Sequence, residues 1–330
     1  MQAVVLDSGS LSLQPRPVPT PADGEVLVAV SLAGICGTDR ELAAGYYDFR
    51  GVPGHEFVGT VHDPGSTGLT PGLRVVAEIN VCCGRCDYCL RGLRNHCERR
   101  SVIGVRDRDG AFAQYLRVPA GNLHAVPASL CDERAVFTEP LAAALQVPDQ
   151  VEIAPGMHVL VIGAGKLGQL IARVLALHAV DLQVLARHDT HRQALSQAGV
   201  ISIDEAQLKP RSADLVVDAT GSPSGLALAL RAVRPRGTVV MKSTFRERVP
   251  IELARLVVDE ISLVGSRCGS FDQALQAMET GQIDPRTLID AVYPLANFEQ
   301  AFAHAARPGA LKVLLDPRAE AAGSPGVASR

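Results

Sequence analysis

His158-Val159-Leu160-Val161-Ile162-Gly163-Ala164-Gly165-Lys166-Leu167-Gly168 decides the fold class of this chain. A mostly aliphatic run of strand length passes into Gly-x-Gly-x-x-Gly, and an apolar stretch from Lys166 to His178 reads as the following helix. Strand, glycine turn and helix in that order make a cradle for the pyrophosphate of a dinucleotide. The glycines allow a tight turn, let the backbone approach phosphate, and let the helix pack closely on the strand. N–H groups at the helix start point toward the phosphates. The candidate cofactor residues here are Gly163, Gly165, Lys166, Leu167 and Gly168.

Strand–helix alternation continues beyond this motif. Strands are expected at His158–Ile162, Leu182–Leu185, Val200–Ile203, Leu215–Ala219, Thr238–Met241 and Ile261–Val264, with helices such as Pro223–Val233 between them. Ser222 suits an N-cap and Pro223 the first helical position. Six such strands predict a doubly wound parallel sheet of the Rossmann type over 141–269. Before residue 140 the pattern is different. Short β-like runs, Glu25–Val30, Leu73–Glu78 and Phe112–Val118, alternate with Gly/Pro turns and predict a β-rich, barrel-like domain over 1–140. Residues 270–316, with helices at Phe271–Glu279 and Phe298–Ala306 and strands at Ala291–Tyr293 and Leu311–Leu315, are expected to complete that first domain. Residues 317–330 read as a flexible tail.

Two domains agree with a length of 330 residues. A composition 47% hydrophobic and 20% charged is that of a globular chain. A net charge of −3 and the absence of Trp argue against a nucleic-acid partner, and no apolar run reaches membrane length. With no signal-peptide pattern at Met1, a cytoplasmic enzyme is expected.

Five of the eight cysteines fall within Cys82–Cys97. Cys83, Cys86, Cys89 and Cys97 supply the four thiolates of a closed structural zinc site, with Cys82 as a possible alternative to Cys83 in the register. A second set is dispersed. Gly34-Ile35-Cys36-Gly37-Thr38-Asp39, Gly54-His55-Glu56-Phe57-Val58-Gly59 and Thr138-Glu139-Pro140 bring a thiol, an imidazole and carboxylates. Three such ligands leave a fourth zinc position for water or alcohol. The acid that grips the cofactor ribose is missing from the end of the second strand, where Arg187 stands instead. An Arg there accommodates a 2′-phosphate, so NADP is expected to be accepted, with NAD as the alternative.

In their order along residues 1–316, these motifs resemble the zinc-dependent medium-chain alcohol dehydrogenases, the group with sorbitol, glucose and threonine dehydrogenases. The matching pieces include G-I-C-G-T-D, G-H-E-F-V-G, the four-cysteine lobe, G-A-F-A-Q-Y, T-E-P-L and G-A-G-K-L-G. The resemblance implies a GroES-like β domain, a Rossmann domain, two zinc ions per chain and a homodimer or homotetramer. It implies Cys36 and His55 as catalytic zinc ligands, Glu139 or Glu56 as the third, and Thr38 as the hydroxyl that relays the alcohol proton. Thr220, Gly221, Ser266 and Arg267 resemble segments that line the cofactor cleft. Glu41 stands where several relatives carry a His, so the proton exit is unassigned. Tyr46, Tyr47 and Phe49 are either pocket-lining or core residues. The expected activity is hydride transfer between a secondary alcohol, polyol or sugar and NAD(P). The alternatives are a zinc-independent quinone or enone reductase of the same fold, and a non-catalytic NADPH-binding protein.

Overall fold

The computed structural model describes residues 1–45, 48–244 and 248–319, with the backbone of Gly326–Val327. Tyr46, Tyr47 and most of the tail lie outside the described residues. The chain divides into two compact units. One holds Met1–Glu139, Phe271–Arg307 and Lys312–Arg330, and the other Pro140–Ser270 and Pro308–Leu311.

The first unit opens with an antiparallel hairpin of β1 (Gln2–Asp7) and β2 (Ser10–Pro15). Strand β3 (Glu25–Gly34) follows and is buried at every residue except Ala29, with Glu25 and Ser31 the polar residues among its otherwise apolar side chains and glycine. The chain then forms α1 (Gly37–Ala43), β4 (Glu56–Asp63) and β5 (Arg74–Ala77). A short pair, β6 (Asn80–Val81) with β7 (Ser101–Val102), brackets a lobe that contains the one-turn helix α2 (Asp87–Leu90). Strands β8 (Tyr115–Pro119) and β9 (Leu123–Ala125) precede α3 (Asp132–Ala135), and α4 (Thr138–Gln150) then carries the chain into the second unit, to which it belongs from Pro140 on. The expected strand over Phe112–Val118 is shorter at its start. Phe112 donates its N–H to the Pro53 carbonyl and accepts from Val4, which holds it in a loop crossing rather than a ladder.

The second unit alternates strand and helix: β10 (His158–Ile162), α5 (Lys166–Leu175), β11 (Asp181–Leu185), α6 (Asp189–Gln197), β12 (Ile201–Ile203), β13 (Ala213–Asp218), α7 (Pro223–Ala232), β14 (Val233–Met241), α8 (Leu253–Val258) and β15 (Ser262–Gly265). The sheet order is β12-β11-β10-β13-β14-β15, and every pairing is parallel. The order reverses between β10 and β13, the switch point at which such sheets bind ligands. Helix α5 ends at Leu175, three residues short of the expected His178; Leu177 and His178 close turns onto Val174 and Leu175. Strand β14 begins at Val233, earlier than the Thr238 read from the pattern, and a register shift lies opposite this extension.

The chain then returns to the first unit as α9 (Phe271–Glu279), β16 (Ile289–Pro294), α10 (Phe298–Ala305) and β17 (Lys312–Asp316). Strand β17 pairs antiparallel with β3, and β16 parallel with β17. The resulting eight-stranded sheet runs from Gly326–Val327 through β16-β17-β3-β4-β5 to β9, with β8 also on β3. Its core gathers Val26, Val28, Phe57, Phe112, Val313 and Leu315.

Candidate active site

The end of β3 and the start of β4 lie side by side, with Gly34 opposite Glu56. A Cβ at Gly34 would run into the Glu56 carboxylate and displace it from its present place. Just beyond, Cys36 is the N-cap of α1 in an extended conformation. His55 sits immediately before β4, and Glu56 is its first residue. Being outside the regular strand, His55 is not bound to the alternation that would turn its side chain away from that of Glu56. One ligand atom from each of Cys36, His55 and Glu56 lies within 4.8 Å of the other two. Glu139, in the first turn of α4, is not part of this group. The Thr38 hydroxyl is 3.8 Å from Cys36 Sγ.

Two buried charged residues, Asp39 and Lys312, support this group. Asp39 is 1% exposed. Its Oδ2 accepts the Cys36 N–H at 2.8 Å, and its Oδ1 lies 3.2 Å from His55 Nδ1. The Asp39 carboxylate thus faces the Nδ1 side of the ring and leaves Nε2 to ligate, an approach to the carboxylate–histidine arrangement of metal sites. Burial opposes a charge on His55, but the Asp39 carboxylate and then Cys36 outweigh it and hold its pKa well above the usual range. Lys312, in β17, is 2% exposed, and its Nζ donates to Glu56 Oε2. Burial opposes its charge too, and Glu56, Cys36 and Glu139 outweigh it. The signal for Lys312 was present in Leu311-Lys312-Val313-Leu314-Leu315: an ammonium inside an apolar strand requires a partner. For Asp39 it was the acid ending G-I-C-G-T-D.

The group fits a zinc ion. A thiol, an imidazole presented through one nitrogen and a carboxylate are its ordinary donors, and three of them leave a position open.

The lobe between β6 and β7 gathers Cys83, Cys86, Cys89 and Cys97, whose sulfurs all lie within 4.8 Å of one another. Cys82 is not in the group. The Cys86 and Cys89 sulfurs are 3.5 Å apart, too far for a disulfide. Four sulfurs about 2.3 Å from a tetrahedral zinc stand about 3.8 Å apart, so the cluster fits a closed site. Hydrogen bonds from backbone N–H groups, that of Arg85 first, pull the Cys83 thiol down to about 6, while burial and neighbouring sulfurs push Cys89 up to about 12. A divalent cation would remove that conflict.

In the second unit, Gly163 has a left-handed φ of +96°, and a Cβ on it would lie 2.9 Å from the Ala219 carbonyl. A Cβ on Gly168 would strike the Gly163 carbonyl oxygen, so the third glycine sets the close helix–strand contact. Gly165 is the N-cap of α5, without a side-chain cap. Thr220 and Gly221 follow β13, and Ser266 and Arg267 follow β15, at the carboxyl ends of the same sheet. Arg187 follows β11, exposed, 3.9 Å from Glu205. Phe49 packs with Leu6 and Leu42 in a small core cluster.

Residues 22–128 match the family described as alcohol dehydrogenase GroES-like domain, and residues 167–281 that described as zinc-binding dehydrogenase. This chain belongs to the zinc-dependent medium-chain alcohol dehydrogenase family. The dehydrogenase is 31% identical to D-arabinitol dehydrogenase 1 of Uromyces fabae, over 91% of its own chain and 92% of that relative. It is 29% identical to the sorbitol dehydrogenase of Halalkalibacterium halodurans, over 94% and 96%. Among solved structures it is similar to a protein of Sinorhizobium meliloti 1021 bound to NADP (TM-score 0.89, 29% identity, 96% and 99% covered). An alcohol dehydrogenase of Escherichia coli CFT073 complexed with NADH gives 0.88 and 30%, at the same coverage. The dehydrogenase has the GroES-like and Rossmann folds of its family. Among the described residues no helix is long and apolar enough to cross a membrane.

Proposed function

We propose that this dehydrogenase oxidises a secondary alcohol carried by a polyol or sugar-like molecule, and reduces the matching ketone, with NADP or NAD. The observation that carries this reading is the convergence of Cys36, His55 and Glu56 beside Thr38. The polyol class is supported by the names of the relatives and by the carboxylate in the donor set. Cys36 and His55 are ligands in this reading, Glu56 is the third, and Glu139 is held in reserve as its alternative. Cys83, Cys86, Cys89 and Cys97 hold a second, structural zinc. A zinc ion held at the first site would supply Lewis acidity toward a substrate hydroxyl, and a bound nicotinamide would supply the hydride-accepting chemistry. The chain's own part is positional. Asp39 orients His55, Lys312 balances the charge of Glu56, and the Thr38 hydroxyl accepts the alcohol proton and passes it outward.

Gly163, Gly165, Lys166, Leu167 and Gly168 cradle the pyrophosphate, with Thr220, Gly221, Ser266 and Arg267 beyond. Arg187 supports acceptance of a 2′-phosphate, because its exposed contact with Glu205 is a weak competitor. The protein is a homodimer or homotetramer in this reading. Strand β15 is the edge of its sheet, and Leu263, Val257 and Val258 are exposed on β15 and α8, a surface suited to a second copy. Free cysteines without a disulfide support a cytoplasmic location.

The test is a panel of alcohols, polyols and sugars with NAD and NADP, run on wild type and Cys36→Ser with zinc content measured. Wild type should carry about two zinc ions per chain. The variant should lose one of them and turn over about a thousandfold more slowly or less, with cofactor binding kept. Unchanged turnover, or one zinc in the wild type, would make the zinc-independent reductase the better reading.

A further inference from the structure

Lys242 lies outside both candidate metal sites and the glycine turn after β10. It follows Met241, the last residue of β14, and its own N–H donates to the Asp218 carbonyl at 2.9 Å. Its Nζ donates to the Ala143 carbonyl of α4 at 2.6 Å, to the Arg267 carbonyl at 2.8 Å and to the Ser266 hydroxyl at 3.1 Å. One ammonium therefore ties the carboxyl end of β14 to a helix and to the turn after β15. That turn is anchored twice more. The Ser266 N–H donates to the Met241 carbonyl at 3.0 Å, and Gln150 Nε2 donates to the Gly265 carbonyl at 3.3 Å. The neighbouring turn is tied to β14 as well, since the Ser243 hydroxyl accepts the Gly221 N–H at 2.8 Å and donates to the Asp218 carbonyl at 3.3 Å.

The place of this clamp in the sheet gives it meaning. The phosphate cradle stands at β10 and Arg187 at β11, which puts the adenosine side on the β10-β11-β12 half. The β13-β14-β15 half then serves the second nucleotide of a dinucleotide laid across the strand ends. Nicotinamide is a flat ring whose carboxamide offers both donors and an acceptor. Its orientation depends on polar partners that do not move, and hydride transfer is sensitive to misplacement of about 1 Å. Hydrogen bonds from an ammonium are stronger than neutral ones and hold a turn more firmly.

We propose that Lys242 is a positioning residue for the nicotinamide half of the cofactor, acting through the Ser266–Arg267 turn. The proposal rests on the dinucleotide reading above. It is tested by calorimetric titration of the full chain with NADPH and with 2′-phospho-ADP-ribose, which lacks the nicotinamide. NADH and ADP-ribose form the equivalent pair for an NAD enzyme. Lys242→Met should bind NADPH about tenfold more weakly or worse, the loss of charged hydrogen bonds, and 2′-phospho-ADP-ribose as wild type does. Lys242→Gln, which keeps a donor of shorter reach, should move the same way. Wild-type affinity for NADPH in both variants would overturn the proposal. So would an equal loss for both ligands, because that would make Lys242 a general support of the unit. Failure of the wild-type chain to bind either ligand would instead defeat the dinucleotide reading itself.

Discussion

Lys312 and Glu56 form a buried ion pair beside the candidate zinc ligands, each side chain 2% exposed. A buried pair is stable only as a pair, because either charge alone keeps its desolvation cost. Lys312→Met should therefore destabilise the fold by about 3–5 kcal/mol, and adding Glu56→Gln should recover much of that loss. Urea unfolding of both variants checks this, and a single variant as stable as wild type would count against the pair. Asp39 acts differently, through the orientation of His55. Asp39→Asn should lower zinc affinity or turnover by about 10–100-fold while leaving the fold in place, measured by metal titration.

At the scale of elements, His124 clasps β9 to α9. Its Nδ1 lies 2.7 Å from Asp272 and its Nε2 3.3 Å from Glu78. The hydrogen bond with Glu78 raises its pKa most, burial opposes, and Asp272 adds to the rise. The folded value thus lies above the usual 6.5. The stability this clasp contributes is complete below that usual value and is lost as pH rises through the raised one. His124→Ala should cost stability at about pH 5.5, by less than about 1 kcal/mol because the clasp is partly exposed, and nearly nothing at about pH 9. Urea midpoints of wild type and variant at the two pH values measure it; an equal difference at both would leave the clasp without a role. Elements also mark where the pattern was readable. The starts of α5 at Lys166 and α7 at Pro223 follow from hydrophobic period and, in α7, from proline at the first turn, whereas the early start of β14 runs through Pro235 and Gly237, which local propensity assigns to a turn.

For the whole molecule, an edge strand with apolar neighbours has consequences for assembly. Leu263 is 41% exposed on β15, and Val258 is 79% exposed on α8. Leu263→Lys combined with Val258→Glu should yield a monomer that still binds zinc and cofactor, with the mass read by light scattering. An unchanged mass would mean that the copies meet elsewhere or do not associate.

The residue order by itself determined the glycine turn between β10 and α5, the four-cysteine lobe and the alternation of strand and helix. Each is a local pattern, set within a turn or a few turns by glycine conformation, ligand spacing or hydrophobic period. It also named Cys36, His55 and Glu56, but not that the last stands with the first two while Glu139 does not. Tertiary structure decided that, together with the partners that support the group. Lys312 reaches Glu56 across 256 positions of chain, and Lys242 reaches Ala143 across 99. Such pairings depend on which strands lie side by side, and strand order follows from burying two whole sheets rather than from any stretch of residues.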